Sequence, residues 1–307
     1  MARLRHSRIS VVSIRSPSRG SAVLDPQLFQ VAPPGRRASA LDDTFIPLSQ
    51  AEVDWPAPSL AALEAAVGKA SSSAMIGAVC WRFTEATGIN GAALLSAVQA
   101  RASQDLCLCN PTPELEGAYA NLWMQGNTVH PRLLEAAVAF FKANKWDPVA
   151  LTEVQPSRVF SSSQYLIGRK TFWSAYLPFV HDALDRALSK IPRRTAKWMA
   201  EPVTDPRDPQ HPITYWPLII ERLIPVFLKG PGAALKVARI PSVLGEKRLN
   251  GHLRRLREMK DVAHQSKSAW LIGCWMHYRN SYLMNVIDRN WCTQHLPALT
   301  SETHEFY

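Results

Sequence analysis

No apolar run in this sequence reaches the roughly 18 residues of a membrane-spanning helix, so none is expected. The five cysteines (Cys80, Cys107, Cys109, Cys274 and Cys292) are odd in number and lack the paired spacing of a structural zinc site. They fit a reduced, cytoplasmic setting. There is no Gly-x-Ser-x-Gly elbow, so Ser161, Ser162 and Ser163 do not read as part of a serine hydrolase. There is also no internal repeat and no Asp-x-Asp, and the second absence bears on metal binding below.

What is present is an apolar fraction of 47%, enough in 307 residues for one large core or two modest ones. The net charge of +10 is concentrated in two places. Residues 1–40 carry seven arginines against Asp25, and residues 229–260 carry nine Lys or Arg against Glu246 and Glu258. The remainder is slightly acidic. A basic face on a folded reader is therefore not expected, and neither is nucleic acid as a partner.

Residues 1–40 are rich in Arg, Ser and Pro without apolar periodicity, which predicts a disordered basic segment. A transit peptide or an early start would share that composition. Residues 41–232 read as an α/β domain and 233–307 as a basic helical region. Within the domain, helices are expected at 59–69 (capped by Ser59), 92–101, 113–123, 131–144, 171–189 and 215–228. Buried strands are expected at 74–83, 105–109 and 160–168. Their alternation with helices predicts an α/β sheet core. The Pro-rich stretch 204–212 reads as a mobile, lid-like loop.

Several residues stand out chemically. Glu221 and Arg222 are the only charges between Tyr215 and Leu228, so they should pair or line a cleft. Pro225 has no N–H for the carbonyl of Glu221 and loosens the helix there. A structural ion pair and a site acid oriented by arginine both satisfy this pattern. Glu114 and Glu116, beyond the 105–109 strand, are hard oxygen donors that could hold a metal. Acids in a helix's first turn also simply favour its dipole. Gln125, His130 and Arg132 could contact a sugar or phosphate, or belong to a capping loop. Residues 247–260 are basic and amphipathic, with Trp270, Trp275 and Tyr278 downstream. They could pack on the domain or lie on an anionic membrane surface.

The blocks GAVCWRFTEATGINGAALL, CNPTPELEGAYANLWMQG, HPRLL, Tyr165–Trp173 and Glu221–Leu223 occur in that order. Together they resemble bacterial glycosyltransferases of surface-polysaccharide assembly, over about residues 41–230. The resemblance implies a GT-A-like mixed sheet flanked by helices, here with a helical C-terminal extension. It implies a nucleotide-sugar donor and a saccharide or lipid-linked acceptor; a peripheral contact of residues 247–278 with the inner face of the membrane would suit such an acceptor. Glu221 would be the catalytic base or sugar-orienting acid. Asn110, Gln125, His130, Arg132, Tyr165 and Arg222 would bind substrate. Glu114 and Glu116 would hold a divalent metal (Mn or Mg) in place of the missing Asp-x-Asp. A non-catalytic relative that binds saccharide or a partner enzyme is the alternative.

Overall fold

The computed structural model describes residues 26–32, 42–49, 58–70, 75–163, 165–205 and 208–286. In chain order the first elements are β1 (Gln27–Ala32), β2 (Ile46–Ser49), α1 (Pro58–Lys69), β3 (Met75–Cys80), α2 (Phe83–Thr87), α3 (Gly91–Gln99) and β4 (Leu106–Cys109). Next come α4 (Glu114–Ala118), α5 (Leu122–Val129), α6 (Leu133–Ala143), β5 (Leu166–Arg169), α7 (Lys170–Lys190) and α8 (Arg193–Met199). A hairpin of β6 (Val203–Asp205) and β7 (Asp208–Ile213) precedes α9 (Tyr215–Ile220) and α10 (Ile224–Lys229). The chain continues through β8 (Val237–Ile240), α11 (Val243–Arg248), α12 (Gly251–Ser266) and α13 (Ala269–Val286).

Six strands form one mixed sheet in the order β2-β1-β3-β5-β4-β8. β1 runs parallel to β2 and β3, and β4 runs parallel to β8. β5 is antiparallel to both of its neighbours, β3 and β4. Five strands therefore share one direction and end on one edge, with the start of β5 among them.

Period-two alternation sends successive side chains to opposite faces. Ile76, Ala78, Leu106, Leu108 and Leu166 join the larger core with α5, α6, α7 and α9. Met75, Val79, Cys107, Cys109 and Ile167 face Phe83, Leu94 and Val98 of α2 and α3. Trp173 on α7 is fully buried and its indole N–H donates to the carbonyls of Ile76 (2.9 Å) and Gly168 (3.1 Å). That contact fixes α7 across β3 and β5.

The expected α/β class is observed, with several local differences. β1 lies inside the segment expected to be disordered. Its Leu28 and Phe29 are buried between β2 and β3, because alternating apolar residues gain cores on both faces only once the sheet exists. The rest of 1–25 and 33–41 lies outside the described residues. Residues 204–212 contribute to the β6–β7 hairpin and are not simply a loop. The expected helix at 113–123 divides into α4 and α5, separated by Tyr119, whose backbone is extended (φ −121°, ψ 141°). The expected helix at 215–228 divides at Glu221–Leu223 into α9 and α10, with Pro225 in the first turn of α10, where its missing N–H costs nothing.

No domain boundary falls at residue 232. β8 completes the sheet beside β4, and α12 and α13 pack as a pair on α4. Gly117 permits that approach: a Cβ there would lie 2.8 Å from the Arg257 nitrogen and 3.0 Å from the Leu253 carbonyl. Among the described residues, no helix is long and apolar enough to cross a membrane.

Candidate functional site

The connections of the parallel strands part at β1. β2 lies on one side of it and β3 on the other. In open α/β sheets the crevice outside the carboxyl ends at such a switch point is where ligands bind. Here that edge carries Cys80 and Trp81 at the end of β3, Tyr165 at the start of β5 and Asn110 at the end of β4.

The Cys80 thiol lies 3.1 Å from the Tyr165 hydroxyl and is also hydrogen-bonded by the backbone of Arg82. Burial pushes the Cys80 thiol above its ordinary range, while Tyr165, its hydrogen-bond partner, and Arg82 pull it down. Tyr165 is held well above the usual phenol range, first by burial and then by Cys80, Cys109 and Glu221. Tyr176 on α7 is fully buried, and burial and Glu221 together push its phenol up. The Glu221 carboxylate thus acts electrostatically on Cys80, Tyr165 and Tyr176 at once. Glu221 is half-buried and caps the C-terminus of α9 at the break before Pro225. A carboxylate whose charge is felt by hydroxyl and thiol groups that keep their protons at neutral pH can accept from a polyhydroxylated ligand, and those groups can donate to it.

At the end of β4, Asn110 holds a buried polar knot. Its amide oxygen accepts from the backbone N–H of Thr112 (3.2 Å) and the hydroxyl of Ser162 (3.1 Å), and its amide nitrogen donates to Glu116 at 2.7 Å. Glu116 is fully buried and forms a two-point ion pair with Arg239 of β8; Arg257 of α12 stands 3.6 Å from the same carboxylate. Burial pushes the Glu116 carboxyl up, opposed by Arg239, Asn110 and Arg257. Glu114 pairs separately with Arg248 of α11 at 2.9 Å. The two acids expected to share a metal therefore face different arginines, and this arrangement does not fit a divalent cation. Among the described residues, no group of three or more His, Cys, Asp or Glu side chains could hold one.

The remaining candidates are dispersed. Arg222 is buried and donates to the backbone carbonyls of Leu122 (3.0 Å) and Leu218 (2.7 Å), and to the Gln125 amide oxygen at 3.4 Å. Both side chains hold α5 against α9. Gly126 makes room for them: a Cβ there would lie 2.5 Å from Arg222 Nε. His130 is buried and ends α5, with its N–H on the Gly126 carbonyl at 2.8 Å. Arg132 is exposed at φ +74°, doubly paired with Glu135 and 4.2 Å from the centre of the Trp198 ring. Two surface hollows, of about 460 and 630 Å³, are lined by none of Cys80, Asn110, Tyr165 and Glu221, although the first includes Glu135, the partner of Arg132. One is near Lys142 and Ile191, the other between His252 and Tyr278.

Sequence reasoning named Tyr165, Glu221, Asn110 and Glu116 but passed over Cys80, Thr112, Ser162, Arg239 and Arg257. A cysteine at the carboxyl end of a parallel strand was a usable signal. Nothing local marks Arg239 or Arg257, because their partner lies over a hundred residues upstream.

Comparison with protein-family models, with curated proteins and with solved structures gave no match to this chain.

Proposed function

We propose that this chain is a glycosyltransferase-like protein with a GT-A-like sheet, which transfers a sugar from a nucleotide-sugar to a saccharide or lipid-linked acceptor. One observation carries the reading: Tyr165, at the start of β5 on the carboxyl edge of the sheet, feels the charge of Glu221 from a separate sequence block. Sugar transfer requires the acceptor hydroxyl to lose a proton while a diphosphate leaves. Glu221 is the base, or the acid that orients the sugar. The Tyr165 hydroxyl and Cys80 thiol stay protonated; one donates to the other, which leaves a single proton of the pair for the ligand. No step passes through a metal. The setting in surface-polysaccharide assembly rests on the sequence resemblance, and the contact with the inner face of a membrane on the basic, amphipathic stretch 247–260. In the basic C-terminal region Lys247, Arg255, Lys267 and Trp270 are exposed and available to an anionic lipid surface, whereas Arg257 and Lys260 are turned inward.

The test is donor hydrolysis and transfer over a panel of nucleotide-sugars, with and without Mn²⁺. Glu221→Gln should lower turnover by about 10²–10⁴-fold, the usual range for a general base. Glu114→Ala should leave it within a few-fold. Folded protein with neither donor binding nor turnover would sink the reading.

A non-catalytic saccharide- or partner-binding relative is favoured by one specific feature. Glu114 and Glu116 are both spent on arginines, and no Asp-x-Asp replaces them. Saccharide binding without turnover of any donor would select this second reading.

A further inference from the structure

The first surface hollow, of about 460 Å³, is a trough between α6 and the chain that joins α7 to α8. Ligand pockets span about 300–1,000 Å³. One wall is a single helical face, since Glu135, Val138, Ala139, Lys142 and Ala143 recur at three- and four-residue spacing along α6. Lys190, Ile191, Pro192 and Thr195 form the other. The half-buried Val138 and Ala139 give the trough an apolar lining, and the exposed Lys142, Lys145 and Lys190 stand around it. None of these three ammonium groups has a hydrogen bond or ion pair to a described residue. Lys145 follows the C-cap Asn144 at φ +58°, a left-handed conformation usually left to glycine or asparagine.

The charge balance of the trough is positive. Its one acid, Glu135, is doubly bonded to Arg132. Asp147, two residues beyond Lys145, turns its carboxylate to the Val149 N–H at 3.0 Å. Both α6 and α7 end here, and a helix C-terminus carries about half a negative charge. Two such ends offset about one lysine, which leaves roughly two positive charges that no lining group compensates. Arg193 and Arg194, exposed beside Pro192, add to that field.

We propose that this trough is a binding site for an organic phosphate with at least two negative charges. The three lysines pair with the phosphate oxygens, the Thr195 hydroxyl donates to them, and the uncharged part of the ligand lies along Val138 and Ala139. Lysine meets phosphate as a point charge on a flexible stem, so ammonium groups from separate turns can close on one multiply charged group. The apolar lining favours a phosphate ester over the bare ion. A soluble ester and the headgroup of an anionic phospholipid share this chemistry, and a vesicle arm of the test separates them. Nothing in the site depends on Glu221 or on sugar transfer, and neither Glu221 nor Tyr165 lines it.

The test is isothermal titration calorimetry of the full chain with inorganic phosphate, pyrophosphate, fructose bisphosphate and ATP. In parallel, the chain is sedimented with vesicles of phosphatidylcholine, alone or in equal parts with phosphatidic acid. A soluble ester or the phosphatidic acid vesicles should bind the wild type, and more tightly than inorganic phosphate does. Lys142→Gln, Lys145→Gln and Lys190→Gln should each weaken that binding about tenfold, the scale of a hydrogen bond to a charged group. The triple variant should abolish it. Ala139→Leu keeps every charge but fills the lining, and should weaken binding severalfold. Lys236→Gln, at an exposed lysine just before β8, should bind as the wild type. Melting temperatures show which variants are folded, and the exposed lysines keep the test decisive if Ala139→Leu does not fold. Lysine-dependent binding of the soluble esters upholds the inference with a soluble ligand; lysine-dependent binding of the vesicles alone upholds it with a lipid headgroup. Binding unchanged in the folded triple variant, an equal loss in Lys236→Gln, binding confined to the inorganic ions, or no binding of any probe to the folded wild type overturns it.

Discussion

Arg239 and Glu116 meet in a buried two-point ion pair across 123 residues of sequence, with Arg239 Nη1 2.8 Å from Glu116 Oε2. The pair joins β8 to α4 beneath the C-terminal helices. It sets the role of the acid that the sequence marks as a metal ligand.

Replacing Arg239 with Met leaves the Glu116 carboxylate buried with less compensation. The expected loss is about 2–4 kcal/mol, below the fullest cost of a broken buried pair because Arg257 remains near. Urea unfolding of the single variants and of Arg239→Met with Glu116→Gln should show strong non-additivity. Simple addition of the two losses would mean that the pair does not form.

Lys260 is entirely buried, donates to the Tyr119 carbonyl at 3.0 Å and lies 4.7 Å from the centre of the Phe160 ring. Burial lowers its pKa from 10.5 to about 7, opposed by Glu116 and Asp261. The folded state then binds fewer protons than the unfolded chain between these two values, so stability should rise with pH across that window. The slope due to this one group is at most about 1.4 kcal/mol per pH unit. Other thiols and phenols titrate there too, so the readout is the difference between wild type and Lys260→Met at each pH. A difference that stays constant from pH 6 to 11 would refute the assignment.

Gly126→Ala should destabilise by about 1–3 kcal/mol through overpacking, since the new Cβ would lie 2.4 Å from Leu133 Cδ2 and 2.5 Å from Arg222 Nε. Arg222→Lys should cost about 2 kcal/mol or more, because a lysine cannot reproduce a planar fork serving several carbonyls. Thermal unfolding of each variant gives the answer. Neutral effects at both positions would mean that α5 and α9 are not held by this arginine.

Tyr165→Phe removes the hydroxyl that lies against the Cys80 thiol. A net loss of about 1 kcal/mol in stability is expected for one buried hydrogen bond. If the carboxyl edge of the sheet is the site, donor affinity should fall as well, while Tyr215→Phe, whose hydroxyl serves the Pro131 carbonyl, should leave it unchanged. Calorimetry on the two variants separates a ligand-facing phenol from a merely structural one.

Local sequence determined much of the chain. The apolar runs at 75–80 and 106–109 specify buried strands, since residues that satisfy both faces of a sheet leave little room for another conformation. Pro225 foretold the break that leaves Glu221 at a helix end, because a missing N–H acts within one turn. Tertiary structure decided the rest. β1 became a strand because β2 and β3 flank it; by itself QLFQVA carries too little burial to be read. Glu114 and Glu116 look alike in sequence, two residues apart, yet one is sealed by Arg239 and Arg257 and the other meets Arg248. Short-range propensities fix elements, but charge pairing depends on which distant side chains folding brings within a few ångströms. That is why the acids were legible as candidates and their partners were not.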